Sequence, residues 1–134
     1  MTPREYRDYM VGKPYLQGSD SLEEGGIDCF GIIKDYFSEV RGIDIPSPSD
    51  RVDINTAGGE EISTERWMES SKEGADIFAC FNKDDTMTHC GLVVHQRALH
   101  AVGTDDTGQV MDWPLRQLER VYKHRVKYYR YAKG

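Results

Sequence analysis

The sequence predicts an α+β domain: helices first, then a mostly antiparallel sheet of about five strands with a late helix packed on it. Three observations carry that prediction. The stretch Gly25 to Val40, GGIDCFGIIKDYFSEV, has a helical apolar period. After Ala75 the period shortens, and apolar runs of strand length alternate with polar turns. Near the end, Leu115, Leu118 and Val121 return to helical spacing. At 134 residues the chain reads as one domain, residues 1–134, long enough for a real core.

Taken in order, Thr2 suits an N-cap and Pro3 the first position of a short helix through Met10, although a complete capping box is not expected. Gly12, Pro14 and Gly18 then break regular structure, and Tyr15 sits in that loop. SDSLEEGG reads as solvated. In the next helix Ile32, Ile33, Tyr36, Phe37 and Val40 form one apolar stripe, with Cys29 on the same face one turn earlier. Arg41-Gly42 suits its end. Ile43 to Glu61 is a long loop rich in Pro, Ser, Asp and Gly, a kind that is often functional. Ser63-Thr64-Glu65 is expected to start a short helix carrying Trp67 and Met68, closed by Lys72-Glu73-Gly74. Strands are expected at Ala75–Phe81, Thr88–His95, Ala98–Val102 and Gln109–Trp113. A helix from Pro114 and an aromatic strand, Arg125–Tyr131, complete the chain.

A net charge of −6 argues against nucleic acid or an anionic membrane as the main partner. No apolar run approaches a membrane span, and the start MTPREYRDYM lacks an apolar signal core. The expectation is a chain without its own export signal. The three cysteines, Cys29, Cys80 and Cys90, do not suggest a disulfide scaffold. Cys80 and Cys90 can face each other across a hairpin, but reduced core residues are the simpler expectation. His89, Cys90, His95, His100 and Cys80 carry ligand atoms without zinc-framework spacing, so no metal and no cofactor are expected.

Cys29 is the candidate nucleophile. A helix start carries partial positive charge and unpaired N–H groups, both of which favour thiolate. The alternative is a small core residue. A thiolate needs a base, and the base needs an orienting group. His89 opens the second strand and His100 lies on the third, across a turn around Gln96 and Arg97. Cross-strand partners lie ~4.5–5.5 Å apart at Cβ, so the two imidazoles touch if the register pairs them. His95 and His124 have no role and read as surface residues.

These motifs carry a resemblance. GGIDCFGII resembles the nucleophile motif of the NlpC-type cell-wall cysteine peptidases, a papain-like family. GADIFACF is similar to that family's Gly-Asp strand, THCGLVVHQRALHAVG to its histidine strand and following His-Ala, and GKPYLQG to its tyrosine approach. The likeness runs from about Gly12 to Gly103, with the motifs in order. It implies a papain-like, NlpC-type fold, with Cys29 as nucleophile, His89 as base and His100 as its orienter. Tyr15 would border the site and help stabilise the oxyanion, beside the Cys29 N–H. Asp28 would hold the loop before the nucleophile. Phe30 stands where serine is common, and the segment between Tyr15 and Cys29 carries an insertion.

The implied reaction is amide hydrolysis through a thioester, in peptidoglycan stem peptides between γ-D-glutamate and diaminopimelate. Asp50, Asp53, Glu60 and Glu61 are weighed as groups facing the substrate amine, against a plain solvated loop. The GKPY start and short length resemble the peptidases of phage tail tips. That implies carriage in the virion, a tail hub or tip partner, and action at the host cell wall. Two rivals remain: an acyltransferase or thioesterase using the same Cys–His pair, and a non-catalytic tail assembly module.

Overall fold

The computed structural model describes residues 1–46, 59–103, 107–123 and 125–132. Helix α1 is Pro3–Met10 and α2 is Gly31–Arg41. Six strands follow: β1 Trp67–Ser70, β2 Ile77–Phe81, β3 Met87–Val94, β4 Arg97–Val102, β5 Gln109–Pro114 and β6 Val126–Tyr131. Helix α3, Leu115–Val121, runs between β5 and β6. The strands form one antiparallel sheet in the order β1-β6-β2-β3-β4-β5. The α+β expectation holds, with one strand more than foreseen.

Two cores lie on the two sides of this sheet. The larger takes Tyr6 and Met10 from α1, Ile32, Ile33 and Phe37 from α2, and Cys90, Leu92 and Val94 from β3. The smaller takes Leu115 and Leu118 from α3, with Phe78, Cys80, Val93 and Ala98. Alternate β3 residues therefore serve opposite faces, as the period of two requires. The sheet is central and β3 is buried on both sides, as its apolar run predicts.

Several local expectations change. The capping box of α1 is complete: Glu5 N–H donates to Thr2 Oγ1 at 3.1 Å, and Thr2 N–H donates to Glu5 Oε1 at 2.9 Å. Thr2-Pro3-Arg4-Glu5 has the required spacing, with Glu5 at N3. Trp67 and Met68 are strand, not helix. A non-local pairing outweighs the local pattern here: Trp67 pairs with Tyr131, and Phe37, Trp67 and Tyr131 pack with ring centroids 5.4–5.5 Å apart. The helical turn lies earlier, at residues 59–62, and Lys72–Gly74 is a 3₁₀ turn. His95 belongs to a turn rather than to β3. His95 and Gln96 both have positive φ, 51° and 64°, so they form the centre of a two-residue primed hairpin turn. Of the loop expected over 43–61, residues 47–58, with Asp50 and Asp53, lie outside the described residues. So do residues 104–106 of the turn before β5, and His124.

Arg41 and Asp76 fasten α2 to the sheet. Arg41 Nη1 lies 3.0 Å from Asp76 Oδ1 and its guanidinium stacks 4.8 Å from the Phe37 ring. Asp76 Oδ2 accepts the Tyr131 N–H at 2.7 Å. Gly42 ends α2 with φ 65°, the left-handed conformation glycine permits.

Candidate active site

The site grows from the segment ahead of α2. Residues 12–15 and Ile27 run side by side: Ile27 N–H donates to Pro14 O at 3.0 Å and Leu16 N–H to Ile27 O at 3.2 Å. Gly26 allows this approach, since a Cβ there would lie 2.7 Å from Pro14 O. Asp28, fully buried, ties the segment at both ends. Its Oδ2 accepts Gly18 N–H at 2.9 Å and its Oδ1 accepts Gly31 N–H at 2.6 Å, in the first turn of α2. A carboxylate here satisfies helix N–H groups that otherwise lack partners. Cys29 sits in the turn that runs into the helix, one residue ahead of the N-cap Phe30. The expectation put Cys29 in the first helical turn; the helix proper starts at Gly31, although Ile32 N–H already bonds to Asp28 O at 3.2 Å.

Cys29 is 3% exposed and His89 8%. The Cys29 sulfur is hydrogen-bonded by the Cys90 thiol, by His89 and by the Cys90 N–H. The Cys90 thiol contributes most, and together these bonds hold the Cys29 thiol well below its ordinary range, against the opposing effect of burial. The cysteine beside it moves the other way. Its bond to Cys29 and its burial push the Cys90 thiol well up, so Cys90 keeps its proton and donates it.

His89 Nε2 lies 2.8 Å from His100 Nδ1. The two residues are not opposite each other, as direct pairing requires. The primed turn sets Val94 opposite Arg97 and Leu92 opposite Leu99, so the next residues to face are Gly91 and His100. A Cβ on Gly91 would lie 2.6 Å from His100 Cβ and 2.7 Å from the Phe78 ring. The imidazoles therefore meet diagonally, across the space a Gly91 side chain would fill.

Aromatic rings enclose the pair. Tyr122, just past α3, stacks on His89 with centroids 5.2 Å apart and planes at 10°. Trp113 and Phe78 meet His100 edge to face, at 4.4 and 5.5 Å. Burial, then the neighbouring His89, lowers the His100 pKa from 6.5 to about 2, so this imidazole is neutral. Its Nε2 is buried and has no hydrogen-bond partner among the described residues.

Tyr15 packs against the larger core, and its hydroxyl donates to Gln17 Oε1 at 2.5 Å. Its backbone is held by a bridge to Ile27, two residues before Cys29. Glu61 is turned away from any substrate: it is buried, accepts two bonds from Arg66 at 2.6 and 2.8 Å, and accepts the Trp67 Nε1–H at 3.0 Å. Glu60 lines a cavity of about 290 Å³ with Phe81, Asp85 and Met87. Cys80 and Cys90 do not face each other, because Cys80 pairs with His89 and Cys90 with Ala79, and the two thiols serve opposite cores. All three cysteines are buried and free of disulfides. Among the described residues no group of three His, Cys, Asp or Glu could hold a metal ion, and no helix is long and apolar enough to cross a membrane.

Cys90, Tyr122, Gly91 and Trp113 were missed as parts of the site. Only the strand alternation hinted at Cys90, whose side chain falls in the larger core that also holds Cys29.

Comparison with known proteins bears on the fold and the family. No curated protein sequence matches the chain. Among solved structures, the NlpC/p60 domain of the peptidoglycan hydrolase SagA matches at TM-score 0.57 and 16% identity, covering 87% of this chain and 89% of that one. A protein similar to a lipoprotein of the NLP/P60 family, from Staphylococcus aureus subsp. aureus Mu50, matches at TM-score 0.60 and 19% identity. That match covers 97% of this chain but 40% of the staphylococcal one, so the chain spans under half of its length. At such identities the likeness shows the fold. The family model of NlpC/P60 matches residues 12–129, nearly the whole chain, and the chain belongs to the NlpC/P60 family.

Proposed function

We propose that this domain is a cysteine peptidase that hydrolyses an amide bond in peptidoglycan stem peptides, between γ-D-glutamate and diaminopimelate. The observation that carries the reading is the relay itself. The Cys29 sulfur is bonded to His89, and the far nitrogen of His89 lies 2.8 Å from His100 Nδ1. Family membership and the likeness to SagA, a peptidoglycan hydrolase, support the substrate class. The tail of a phage particle as its site of delivery, with a hub or tip protein as partner, rests only on the sequence resemblance to the phage tail-tip peptidases.

In this reading His89 takes the Cys29 proton at Nδ1, since Nε2 is engaged by His100. The thiolate attacks the amide carbon. The oxyanion is met by the Cys29 N–H and, once it turns from Gln17, by the Tyr15 hydroxyl. His89 then gives its proton to the departing amine, and a thioester remains. Water, deprotonated by His89, opens the thioester and releases the acid. Asp28 holds the turn that aims the sulfur, and His100 positions His89.

The test is incubation with purified sacculi and with a defined muropeptide, products read by mass spectrometry. Release of a γ-D-glutamyl carboxylate and a free diaminopimelate amine is expected, and Cys29→Ala is expected to abolish it while preserving the circular dichroism spectrum. A Cys29→Ala protein that cleaves at the parental rate removes Cys29 from the mechanism. Intact muropeptide with hydrolysed fatty-acyl esters transfers the site to acyl chemistry.

A further inference from the structure

The sulfur at the centre of the site has a second sulfur beside it. Cys29 and Cys90 share the core under α1 and α2, 3% and 0% exposed. The Cys90 thiol and N–H both point to the Cys29 sulfur. Cys80, the remaining cysteine, serves the opposite core with Phe78 and Leu118. No step of peptide hydrolysis forms or breaks a bond at the Cys90 sulfur, which acts on Cys29 only by hydrogen bonding. A thiolate stabilised by hydrogen bonds reacts with peroxides, and a neighbouring thiol can close the product into a disulfide.

We propose that Cys90 is a resolving thiol, which captures oxidised Cys29 as a reversible Cys29–Cys90 disulfide, inactivating the enzyme while sparing its nucleophile from irreversible oxidation. The proposal rests on the reading of Cys29 as a thiolate nucleophile. The oxidant is hydrogen peroxide. The Cys29 sulfur attacks one peroxide oxygen, the O–O bond breaks, and hydroxide leaves. Cys29 becomes a sulfenic acid, oxidised by two electrons. The Cys90 sulfur then attacks the Cys29 sulfur, an S–S bond forms, the S–O bond breaks, and the oxygen departs as water with the Cys90 proton. In sum two thiols and one peroxide give one disulfide and two waters. A dithiol such as dithiothreitol reverses the cross-link by exchange.

The experiment treats the full chain, folded and reduced, with near-equimolar hydrogen peroxide, then denatures it in iodoacetamide and maps it by mass spectrometry. The wild type is expected to lose two hydrogens, to retain one alkylatable cysteine, Cys80, in place of three, and to yield a peptide joining Cys29 to Cys90. Dithiothreitol restores all three. Cys80→Ser keeps the cross-link. Cys90→Ser and Cys90→Ala carry Cys29 on to the sulfinic acid, which dithiothreitol does not reduce. Sulfinic Cys29 in the wild type, to the same extent as in the Cys90 variants, overturns the capture step and leaves the nucleophile reading intact. A cross-link that uses Cys80 also overturns it. A Cys29 that resists peroxide in every variant overturns both readings. These readouts need no peptidase activity.

Discussion

A buried neutral histidine makes a pH prediction that can be worked out in full. Unfolded, His100 titrates near 6.5, and in the folded protein it does so only near 2. Below 6.5 the unfolded chain binds a proton that the folded chain refuses. Stability is therefore complete above 6.5 and is lost as pH falls below it. The loss has a limiting slope of about 1.4 kcal/mol per pH unit. Between about pH 7 and about pH 5 the unfolded state gains a proton-binding factor of about 25, worth about 2 kcal/mol against folding. His100→Gln removes this group, and a carboxamide does not titrate. The assay is urea unfolding of both proteins at a series of pH values. The wild type is expected to lose about 2 kcal/mol more than His100→Gln across that interval. Other titrating groups are common to both proteins and cancel in the difference. Parallel stability curves would refute the placement of a neutral imidazole between Phe78 and Trp113.

Three further outcomes follow from named contacts. His89→Ala is expected to lower kcat/KM on a defined muropeptide by on the order of a thousandfold, and His100→Ala by about tenfold less, because proton transfer is lost in one and only its positioning in the other; equal or reversed losses in a steady-state assay contradict the assignment. Asp28→Ala strips the acceptor from Gly18 and Gly31 N–H groups, and is expected to cost about 1–3 kcal/mol in urea unfolding, whereas an unchanged midpoint would deny it the role of tie. Gly91→Ala forces a methyl against His100 and Phe78 and is expected to destabilise by about 1–3 kcal/mol, with kcat falling even where the protein remains folded; full activity would show that the diagonal contact of the imidazoles tolerates displacement.

What could be read in advance divides by range. The helix from Gly31, its glycine stop at Gly42 and the apolar β3 run follow from local pattern, and local pattern sufficed. The β1 strand did not, because Trp67 takes its conformation from Tyr131, sixty-odd positions away in the chain. The primed turn at His95-Gln96 was placed one residue late, since neither residue is the glycine or asparagine that usually marks such turns. That one residue matters to the site: it sets Gly91 rather than Val93 opposite His100, two positions from His89, and so brings the imidazoles within diagonal reach. Candidate residues were legible from their chemistry, while the contacts that tune them, Cys90 on the sulfur and Tyr122 on the ring, depend on which face of the sheet each residue serves.

The direction of the relay follows from the same contacts. A neutral His100 carries one ring proton, on Nδ1 or on Nε2. With the proton on Nδ1, His100 donates to His89 Nε2, and the proton of a neutral His89 must then sit on Nδ1, the nitrogen that faces Cys29. No lone pair is left there to receive the thiol proton. With the proton on His100 Nε2, His100 Nδ1 accepts from His89 Nε2–H, and the His89 nitrogen toward Cys29 is bare. Once Cys29 has given up its proton, His89 holds protons on both nitrogens, and only the second arrangement fits. The unpartnered His100 Nε2–H is the consequence, and it lies among the rings of Trp113 and Phe78, where an N–H can rest against a π face at small cost. The aromatic enclosure therefore does two things at once. It keeps His100 from charging, and it tolerates the one tautomer that leaves His89 free to act as a base.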